Sequence, residues 1–272
     1  MVLAQLKQAI PHLDFSLNRI VTEGDRDKSI PLEIAPGQRM FVKELEDALL
    51  NNKIDIAVHS LKDMTTELPP GLSLAAVTRR LDPRDVLVTN GEKLTELAPG
   101  STIGTGGLRR AAQLLACRPD LKVTGLRGNV DTRLEKVSRG EFNGIILAAA
   151  AIIRLGQEHR ITEYLSLESF LPAAGQGTLG IEIRAGDEKA AQLISAVNHK
   201  PTWQSVIAER TFINALGVGC RAPVAALGTV NDNPLNLQGM VASHNGKKVL
   251  RATETGDSLS PEETGKRLAQ RM

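Results

Sequence analysis

Residues 54–63 read IDIAVHSLKD, a short apolar run followed by a polar end. The part at 54–59 predicts a buried strand, because it is brief, rich in β-branched residues and bounded by polar segments. Similar runs recur along the chain, and amphipathic helical segments such as 40–50 separate them. This alternation favours a parallel sheet with helices on both faces, so the predicted fold class is α/β. The other strand-like runs lie at 14–21, 86–88, 101–104, 122–126, 144–149 and 179–183.

Two breaks in this pattern indicate crossings between domains. RRLDP at 79–83 is charged and contains a proline, whereas LPAAGQG at 171–177 is rich in glycine and small residues. Connections between domains commonly have such composition. Beyond residue 200 a helix is followed by three strand-like runs, which predicts a small α+β unit. The expected domains are a discontinuous first one of residues 1–78 and 178–197, a second of residues 82–173 and a third of residues 200–272.

Composition excludes several classes of protein. The 272 residues include 33 Lys and Arg against 31 Asp and Glu, and 3% are aromatic, which argues against nucleic-acid partners. The longest apolar run, 145–153, is too short to span a bilayer of about 30 Å, and the first residues lack a secretory pattern. Two cysteines and five scattered histidines predict neither a disulfide framework nor a metal site. We expect a soluble, cytoplasmic protein without metal, nucleic acid or membrane partners.

Two polar groups lie where predicted strands end, the edge at which open α/β sheets bind ligands. In HSLKD at 59–63, Ser60 or Asp63 is either a simple helix cap or part of a site. In GTGGLRR at 104–110, glycines permit close approach, helix amides attract anions, and adjacent arginines fork onto carboxylate or phosphate. Further arginines follow at 127, 133 and 154. One such residue is typical of a solvated surface, but their recurrence after strands favours an anion-lined cleft.

A glycine-rich turn, GVGCRAP at 217–223, presents Cys220 beside Arg221. A nearby positive charge stabilises a thiolate, which favours attack on an electrophile or covalent attachment of a group. A small buried residue in a turn explains the same pattern equally well. Cys117 lies in the apolar helical run 111–117 and is predicted to be a core residue.

Seven motifs follow in order along the chain: FVKELE at 41–46, DIAVHSLKD at 55–63, DPRD at 82–85, LRR at 108–110, LRGNV at 126–130, GQG at 175–177 and GC at 219–220. Together they resemble the porphobilinogen deaminase family over almost the whole chain. The resemblance implies two domains like those of type II periplasmic binding proteins and a third that carries the cysteine. It also implies a monomeric transferase that joins four porphobilinogen molecules, with loss of ammonia, into the linear tetrapyrrole hydroxymethylbilane.

The resemblance further implies a dipyrromethane cofactor, which is two linked substrate units, attached to Cys220 by a thioether. The growing oligopyrrole carries many carboxylates, which guanidinium groups hold well. Asp63 is implied to be catalytic, because a carboxylate beside the pyrrole N–H stabilises the positive charge left when ammonia departs. Residues implied to hold the cofactor are Asp63, Lys62, Ser60, Thr105, Arg109, Arg110, Arg127 and Gly128, with His59 as a further hydrogen-bonding group. Those implied to bind substrate are Arg133, Arg154 and Gln176.

The sequence departs from the family pattern in four places. It starts at Met1 within the expected first helix, so we expect the family's first strand to be missing, and it stops at Met272 within the expected last helix. A glycine-lysine-glycine loop is replaced by PGQRM at 36–40, with Gln38 in the place of lysine. A pair of serines is replaced by Gly106 and Gly107. These differences predict weaker binding of the cofactor, and they leave an inactive fragment as an alternative.

Two other functions fit parts of the sequence. A noncatalytic binding protein closes two domains on a carboxylated small ligand, but it needs no Asp63 and no thiol on a third domain. Nucleic-acid binding through the arginines conflicts with the near-neutral charge and the few aromatic residues.

Overall fold

The computed structural model describes residues 1–22, 42–217, 222–231 and 233–272. Its strands are β1 (Ala57–Ser60), β2 (Leu72–Val77), β3 (Asp85–Thr89), β4 (Thr102–Thr105), β5 (Lys122–Gly125), β6 (Gly144–Ala148), β7 (Glu163–Tyr164), β8 (Leu179–Arg184), β9 (Val224–Val230), β10 (Leu235–Ala242) and β11 (Val249–Gly256). Its helices are α1 (Val2–Ala9), α2 (Lys43–Leu50), α3 (Leu108–Cys117), α4 (Val130–Ser138), α5 (Ala149–Arg154), α6 (Glu188–Ser195), α7 (Lys200–Leu216) and α8 (Pro261–Gln270). Single 3₁₀ turns span Leu61–Asp63 and Glu158–Arg160. None of these described helices has the length and apolar character needed to cross a membrane.

The first sheet has three strands in the order β1-β8-β2, and both pairings are antiparallel. Leu6 of α1 and Ile194 of α6 pack on Ile181 of β8 and bury one face of the sheet. The strand predicted at 14–21 is not formed, and this segment joins no ladder. Leu17 in its middle is 81% exposed, so the alternating pattern does not supply a buried face. The prediction of a strand there is wrong.

The second sheet has five strands in the order β5-β4-β6-β3-β7. Strand β4 is parallel to β5 and β6, as predicted, because α3 and α4 form the crossovers that parallel neighbours need. Strand β3 is antiparallel to β6 and β7, so the expected parallel sheet is formed only in part here, and it is not formed in the first sheet, where both pairings are antiparallel. The chain enters β3 from the first sheet and not through a crossover helix, so its direction is not set by a βαβ unit. Ile145 and Ile146 of β6 belong to separate apolar clusters on the two faces.

Two crossings join the sheets, residues 78–84 after β2 and residues 165–178 before β8. They contain the two segments in which the sequence predicts crossings. Gly177 has a φ of +89°, and a Cβ atom there would lie 2.6 Å from the backbone oxygen of Leu81 in the other crossing. The Leu81 N–H also donates to the Gly177 carbonyl at 3.0 Å. Glycine is required at this position because the two crossings lie in direct backbone contact.

The C-terminal residues form an antiparallel sheet in the order β11-β10-β9, which packs on α7 and α8. Phe212 of α7, Leu268 of α8 and Leu237 of β10 are fully buried together in its core. The α/β class with a separate small C-terminal unit is therefore confirmed.

Glu209 on α7 connects this unit to both crossings. Its fully buried carboxylate accepts from Arg80 Nη2 at 2.6 Å, from the Gly175 N–H at 2.6 Å and from the Gly228 N–H at 2.7 Å. Because Arg80 and Gly175 lie in different crossings, one side chain fixes three parts of the chain together.

Cys117 is exposed, so its assignment to the core is wrong. Helix α3 turns Ala112 and Leu114 toward the interior, and its last residues face solvent.

Candidate functional site

A cleft of about 1220 Å³ lies where the two sheets and the C-terminal unit meet. Strands β1, β4 and β5 all end at this cleft, and residues one or two positions after their ends line it. In the structure, the polar segments that follow these strands therefore converge on one cleft. The lining includes residues 61–67, 106–110, 127–129 and 133, together with Arg19, Gln176, Arg210 and Asn214.

The described lining of the cleft is strongly cationic. It contains seven basic side chains and two acidic ones, so its potential is positive although the whole chain has a formal charge of only +2. The basic residues are Arg19, Lys62, Arg109, Arg110, Arg127, Arg133 and Arg210, and the acidic ones are Asp63 and Glu67. Such a cleft suits a ligand with several negative charges.

Two helix N-termini add to this potential. Helix α3 begins after Gly106 and Gly107, and no side chain caps its first turn. Helix α4 begins after Asn129, whose side chain accepts from the Thr132 N–H at 2.9 Å. Both starts border the cleft, and the amide groups of a first helical turn carry partial positive charge.

Asp85 at the start of β3 organises the wall beside α3. Its fully buried carboxylate accepts from Arg109 Nη1 at 2.7 Å, from Arg110 Nε at 2.9 Å and from Gln176 Nε2 at 3.0 Å. Burial opposes its ionisation, but the two guanidinium groups outweigh that effect and hold the pKa of Asp85 well below its usual range. Arg109, Arg110 and Gln176 are thus held together by an internal carboxylate. Sequence reasoning missed Asp85, although it lies in the quoted DPRD motif.

Asp63 and Lys62 lie next to each other in the lining of the cleft, shortly after β1. Asp63 ends the 3₁₀ turn after β1, is half-buried and makes no hydrogen bond or ion pair with the described residues. Lys62 is half-buried and equally unpaired among those residues. Burial, and then the charge of Arg110, lower the pKa of Lys62 to about 8 against the opposing effect of Asp63. The cleft therefore holds a half-buried carboxylate and an amine side by side, neither of them paired with a described residue.

Arg127 and Arg133 form the part of the wall between β5 and α4. Arg133 Nε donates to the Gly128 carbonyl at 2.7 Å, which leaves its remaining N–H groups for other partners. Burial, with the charges of Arg110 and Arg127, lowers the pKa of Arg133. The Nη2 atom of Arg127 is buried without a hydrogen-bond partner in the described structure. Gly128 has a φ of +105°, and a Cβ there would lie 2.9 Å from Thr132 Cγ2, so a larger residue is excluded.

Four predicted side chains do not line this cleft. Ser60 and Arg154 border a separate cavity of about 30 Å³, which shares Lys62 and Gln176 with the large one. Thr105 is buried in β4, and its Oγ1 accepts from the Gly107 N–H at 3.4 Å. His59 is buried against Glu182, with its Nε2 3.0 Å from Glu182 Oε2.

Arg210 on α7 is a lining residue that sequence reasoning did not select. Its Nη2 donates to the carbonyls of Thr65 at 2.6 Å and Thr66 at 3.0 Å. This arginine carries positive charge from the C-terminal unit into the cleft and binds the segment after Asp63. Its position within an ordinary amphipathic helix gave no local signal.

Comparison with protein families identifies the family of the chain that forms this cleft. Residues 1–192 match the family described as "Porphobilinogen deaminase, dipyromethane cofactor binding domain", and residues 203–272 match "Porphobilinogen deaminase, C-terminal domain". The chain belongs to the porphobilinogen deaminase family. This family consists of transferases of tetrapyrrole biosynthesis that act on porphobilinogen and use a dipyrromethane cofactor.

Relatives in this family resemble the chain along its length. Porphobilinogen deaminase of Thermus thermophilus is 49% identical over 271 residues, which cover 99% of this chain and 88% of the relative. The porphobilinogen deaminase of Bacillus subtilis is 45% identical over 274 residues, which cover 100% of this chain and 87% of the relative. Among solved structures, the periplasmic VFT2 domain of Bordetella pertussis BvgS matches 72% of this chain and 74% of its own length, with 17% identity and a TM-score of 0.41.

The described cleft fits the cofactor class of the porphobilinogen deaminases. A dipyrromethane carries carboxylates, and the cleft offers cationic side chains together with the buried, unpartnered Nη2 of Arg127. Gly217, Ala222 and Val224 bring the chain on either side of Cys220 to the same cleft. Cys220 itself and the predicted departure at Gln38 lie outside the described residues.

Proposed function

We propose that this chain is itself a working hydroxymethylbilane synthase that condenses four porphobilinogen molecules and releases ammonia at each addition. The observation that carries the proposal is the carboxylate of Asp63, which is half-buried and unpaired among the described residues in a cleft of about 1220 Å³ lined by seven basic side chains; the other acidic lining residue, Glu67, is exposed. A cleft that only bound carboxylates would gain nothing from an acidic side chain at this position, because like charges repel.

Asp63 is the residue to which we assign catalysis. When ammonia leaves porphobilinogen, the C–N bond breaks, nitrogen takes the bonding electrons, and the positive charge left on the substrate spreads to the pyrrole nitrogen. A carboxylate that accepts the pyrrole N–H stabilises that charge. Asp63 makes no hydrogen bond with the described residues, so both its oxygens remain available to a substrate.

The basic residues hold the carboxylates of substrate and product. Arg127 and Arg133 line the cleft and have N–H groups without a partner in the described structure, and Lys62 has no partner there either. Arg109 and Arg110 share the charge of Asp85, so together they present about one net positive charge in a fixed orientation. Because Gly128 has no side chain, the backbone at the start of α4 can come close to a bound ligand. We keep Gln176 as a binding residue, with the role of orienting Arg110 through a contact of 3.3 Å.

Cys220 is the residue to which we assign covalent attachment of the dipyrromethane, as a thioether. The bound cofactor supplies the pyrrole end to which substrate units are added. Ser60, Thr105 and Arg154 then support the site from behind the cleft wall, since they do not line it.

We also propose the domain limits expected from the sequence, with residues 1–78 and 178–197, 82–173 and 200–272 as the three units. Their support is that the crossings leave the first sheet at 78 and return to it at 179. A monomer in the cytoplasm is the proposed working form, consistent with a chain of two cysteines and near-neutral charge.

Intact mass and turnover test these assignments. The chain purified from cells that make porphobilinogen should carry an adduct of two pyrrole units, and Cys220→Ser should lack it. Asp63→Asn should keep the adduct but lose about 10²–10³-fold in turnover, as loss of one group that stabilises transition-state charge does. Asp131→Asn, an exposed change on α4 outside the cleft, is the control. An unmodified parent chain, or near-normal turnover by Asp63→Asn, would refute the proposal.

A further inference from the structure

The segment that follows Asp63 has few backbone partners of its own. Residues 64–71 lie in neither a helix nor a strand, and they connect the 3₁₀ turn to β2. No backbone N–H of the described residues donates to the carbonyls of Thr65 and Thr66. Arg210 on α7 donates its Nη2 to both of them, at 2.6 and 3.0 Å. Because backbone carbonyls away from water need a donor, this arginine takes the place of a neighbouring strand.

The base of this contact is well fixed. Val206 lies one turn before Arg210 on the same face of α7, and it belongs to a buried apolar cluster with Leu61 and Met64. Leu61 and Met64 are 1% and 3% exposed, and they stand immediately before and after residues 62–63. Apolar packing therefore holds both ends of this pair against α7, and Arg210 holds the backbone that follows.

The charge of Arg210 has an internal counterpart. Glu182 on β8 is fully buried, and its Oε2 lies 3.0 Å from His59 Nε2. Burial lowers the pKa of Arg210, and the charge of Glu182 opposes that effect, so a buried carboxylate partly compensates the guanidinium. An arginine with two backbone acceptors and an internal counter-charge is less suited to a substrate carboxylate than Arg127 or Arg133. Its contacts indicate that it acts on the chain itself.

We propose that Arg210 is a positioning residue for Asp63: by holding the carbonyls of Thr65 and Thr66, it fixes the direction in which the Asp63 carboxylate points. Asp63 accepts the pyrrole N–H only under the proposed function, on which the inference therefore rests. A carboxylate that stabilises developing charge must be held in place beforehand, and a misplacement of about 1 Å costs about 10²-fold in rate. Because α7 belongs to the C-terminal unit, turnover then depends on how that unit is seated against the first sheet.

Steady-state kinetics of Arg210→Gln on the cofactor-loaded enzyme measures this role. We expect kcat to fall about tenfold while KM changes less than about twofold, because other arginines hold the substrate. Intact mass should still show the cofactor adduct, which establishes that the variant is folded and loaded. Arg210→Lys keeps the charge and one donor group, so its kcat should fall less, and it takes the same tests if Arg210→Gln does not fold. A raised KM with unchanged kcat would overturn the proposal, since Arg210 would then bind substrate.

A double-mutant cycle with Asp63→Asn separates positioning from a purely structural role. If Arg210 acts through the Asp63 carboxylate, Arg210→Gln should lower kcat less than about twofold once that carboxylate is gone. An equal fall of kcat in both backgrounds would overturn the proposal and leave the role of Asp63 intact. Near-normal turnover by Asp63→Asn alone would instead refute the proposed function, and the positioning role with it, so the two failures are distinguishable.

Arg251→Gln is the matched control. Arg251 on β11 also joins the C-terminal unit to backbone carbonyls, those of Ser169 at 2.7 Å and Leu167 at 3.3 Å, but it is not part of the described lining of the cleft. Its loss should lower the Tm much as Arg210→Gln does and leave kcat within about twofold of the parent, because the two sites are independent. If Arg251→Gln lowered kcat as much as Arg210→Gln, general loosening of the C-terminal unit would explain both losses and the proposal would fail.

Discussion

Replacing Asp85 with asparagine tests whether the buried carboxylate organises the cleft wall. The new side chain keeps the size of the old one but has no charge and one acceptor oxygen fewer. Arg109 and Arg110, which are 9% and 7% exposed, would then hold two positive charges without a buried counter-charge. We expect the variant to be much less stable and to lose affinity for carboxylated ligands, because both guanidinium groups lose their fixed orientation.

The size of the expected loss of stability in Asp85→Asn follows from the contacts of this carboxylate. Removing one partner of a buried ion pair costs about 3–5 kcal/mol of the free energy of unfolding. Asp85 serves two guanidinium groups, at 2.7 and 2.9 Å, so the upper part of that range, about 4–5 kcal/mol, is expected. At roughly 2–4 °C per kcal/mol for a chain near this size, the Tm should fall by about 10 °C or more. Because the pKa of Asp85 is lowered, its contribution is present above the ordinary value of 3.8 and is lost only as the pH falls through the lower folded value.

Urea unfolding measures the loss, since urea does not screen ion pairs. Asp82→Asn is the matched control: Asp82 Oδ2 lies 2.6 Å from Arg84 Nη2, but these side chains are 21% and 40% exposed. An ion pair so exposed contributes under about 1 kcal/mol. If Asp85→Asn were no more destabilising than Asp82→Asn, the carboxylate would not organise the wall and the reasoning would fail.

Three further predictions concern glycines and pH. Gly177→Ala should lower the Tm by much more than Gly186→Ala does. Both positions have a positive φ, but only at Gly177 would the added Cβ lie 2.6 Å from the Leu81 backbone oxygen, so similar losses of Tm would contradict this close contact. Gly107→Ser should raise stability by a few tenths of a kcal/mol, since its φ of −125° suits serine, no atom lies within 4 Å of the added Cβ, and the hydroxyl caps α3; a lower Tm would argue against this cap. Affinity for a carboxylated pyrrole, measured by calorimetry, should fall as the pH rises through about 8, where Lys62 loses its charge, and Lys62→Gln should remove that fall; an unchanged profile would exclude Lys62 as the cause.

The sequence predicted best where local pattern and tertiary structure agree. The runs at 86–88 and 144–149 lie in the middle of the second sheet, where burial on both faces demands apolar, β-branched residues. The run at 14–21 instead alternates apolar and polar residues, but a strand also needs a neighbour to pair with, and alternation does not report whether one exists. Strand direction was likewise beyond local pattern, because β3 and β8 are reached by crossings and not by crossover helices.

The site shows the same division. The segments after β1, β4 and β5 could be located because each follows a predicted strand, where α/β sheets bind ligands, whereas the partner of each side chain depends on residues distant in sequence. Arg109 and Asp85 are 24 residues apart, and nothing in either motif predicts that one neutralises the other. Arg210 reaches the cleft from the C-terminal unit, and the local sequence around an arginine on a helix does not predict which cleft it lines.

Two carboxylates illustrate why position in a motif does not define a role. Asp63 and Asp85 both adjoin strands at the cleft and both come from quoted motifs. Asp85 is fully buried and three side chains donate to it, so its charge is already paired with Arg109 and Arg110, which it holds in position. Asp63 is half-buried and has no described partner, so its charge remains available to a ligand. Neutralising the first should therefore change stability and the second turnover, and measuring both quantities on both variants distinguishes a supporting carboxylate from a catalytic one.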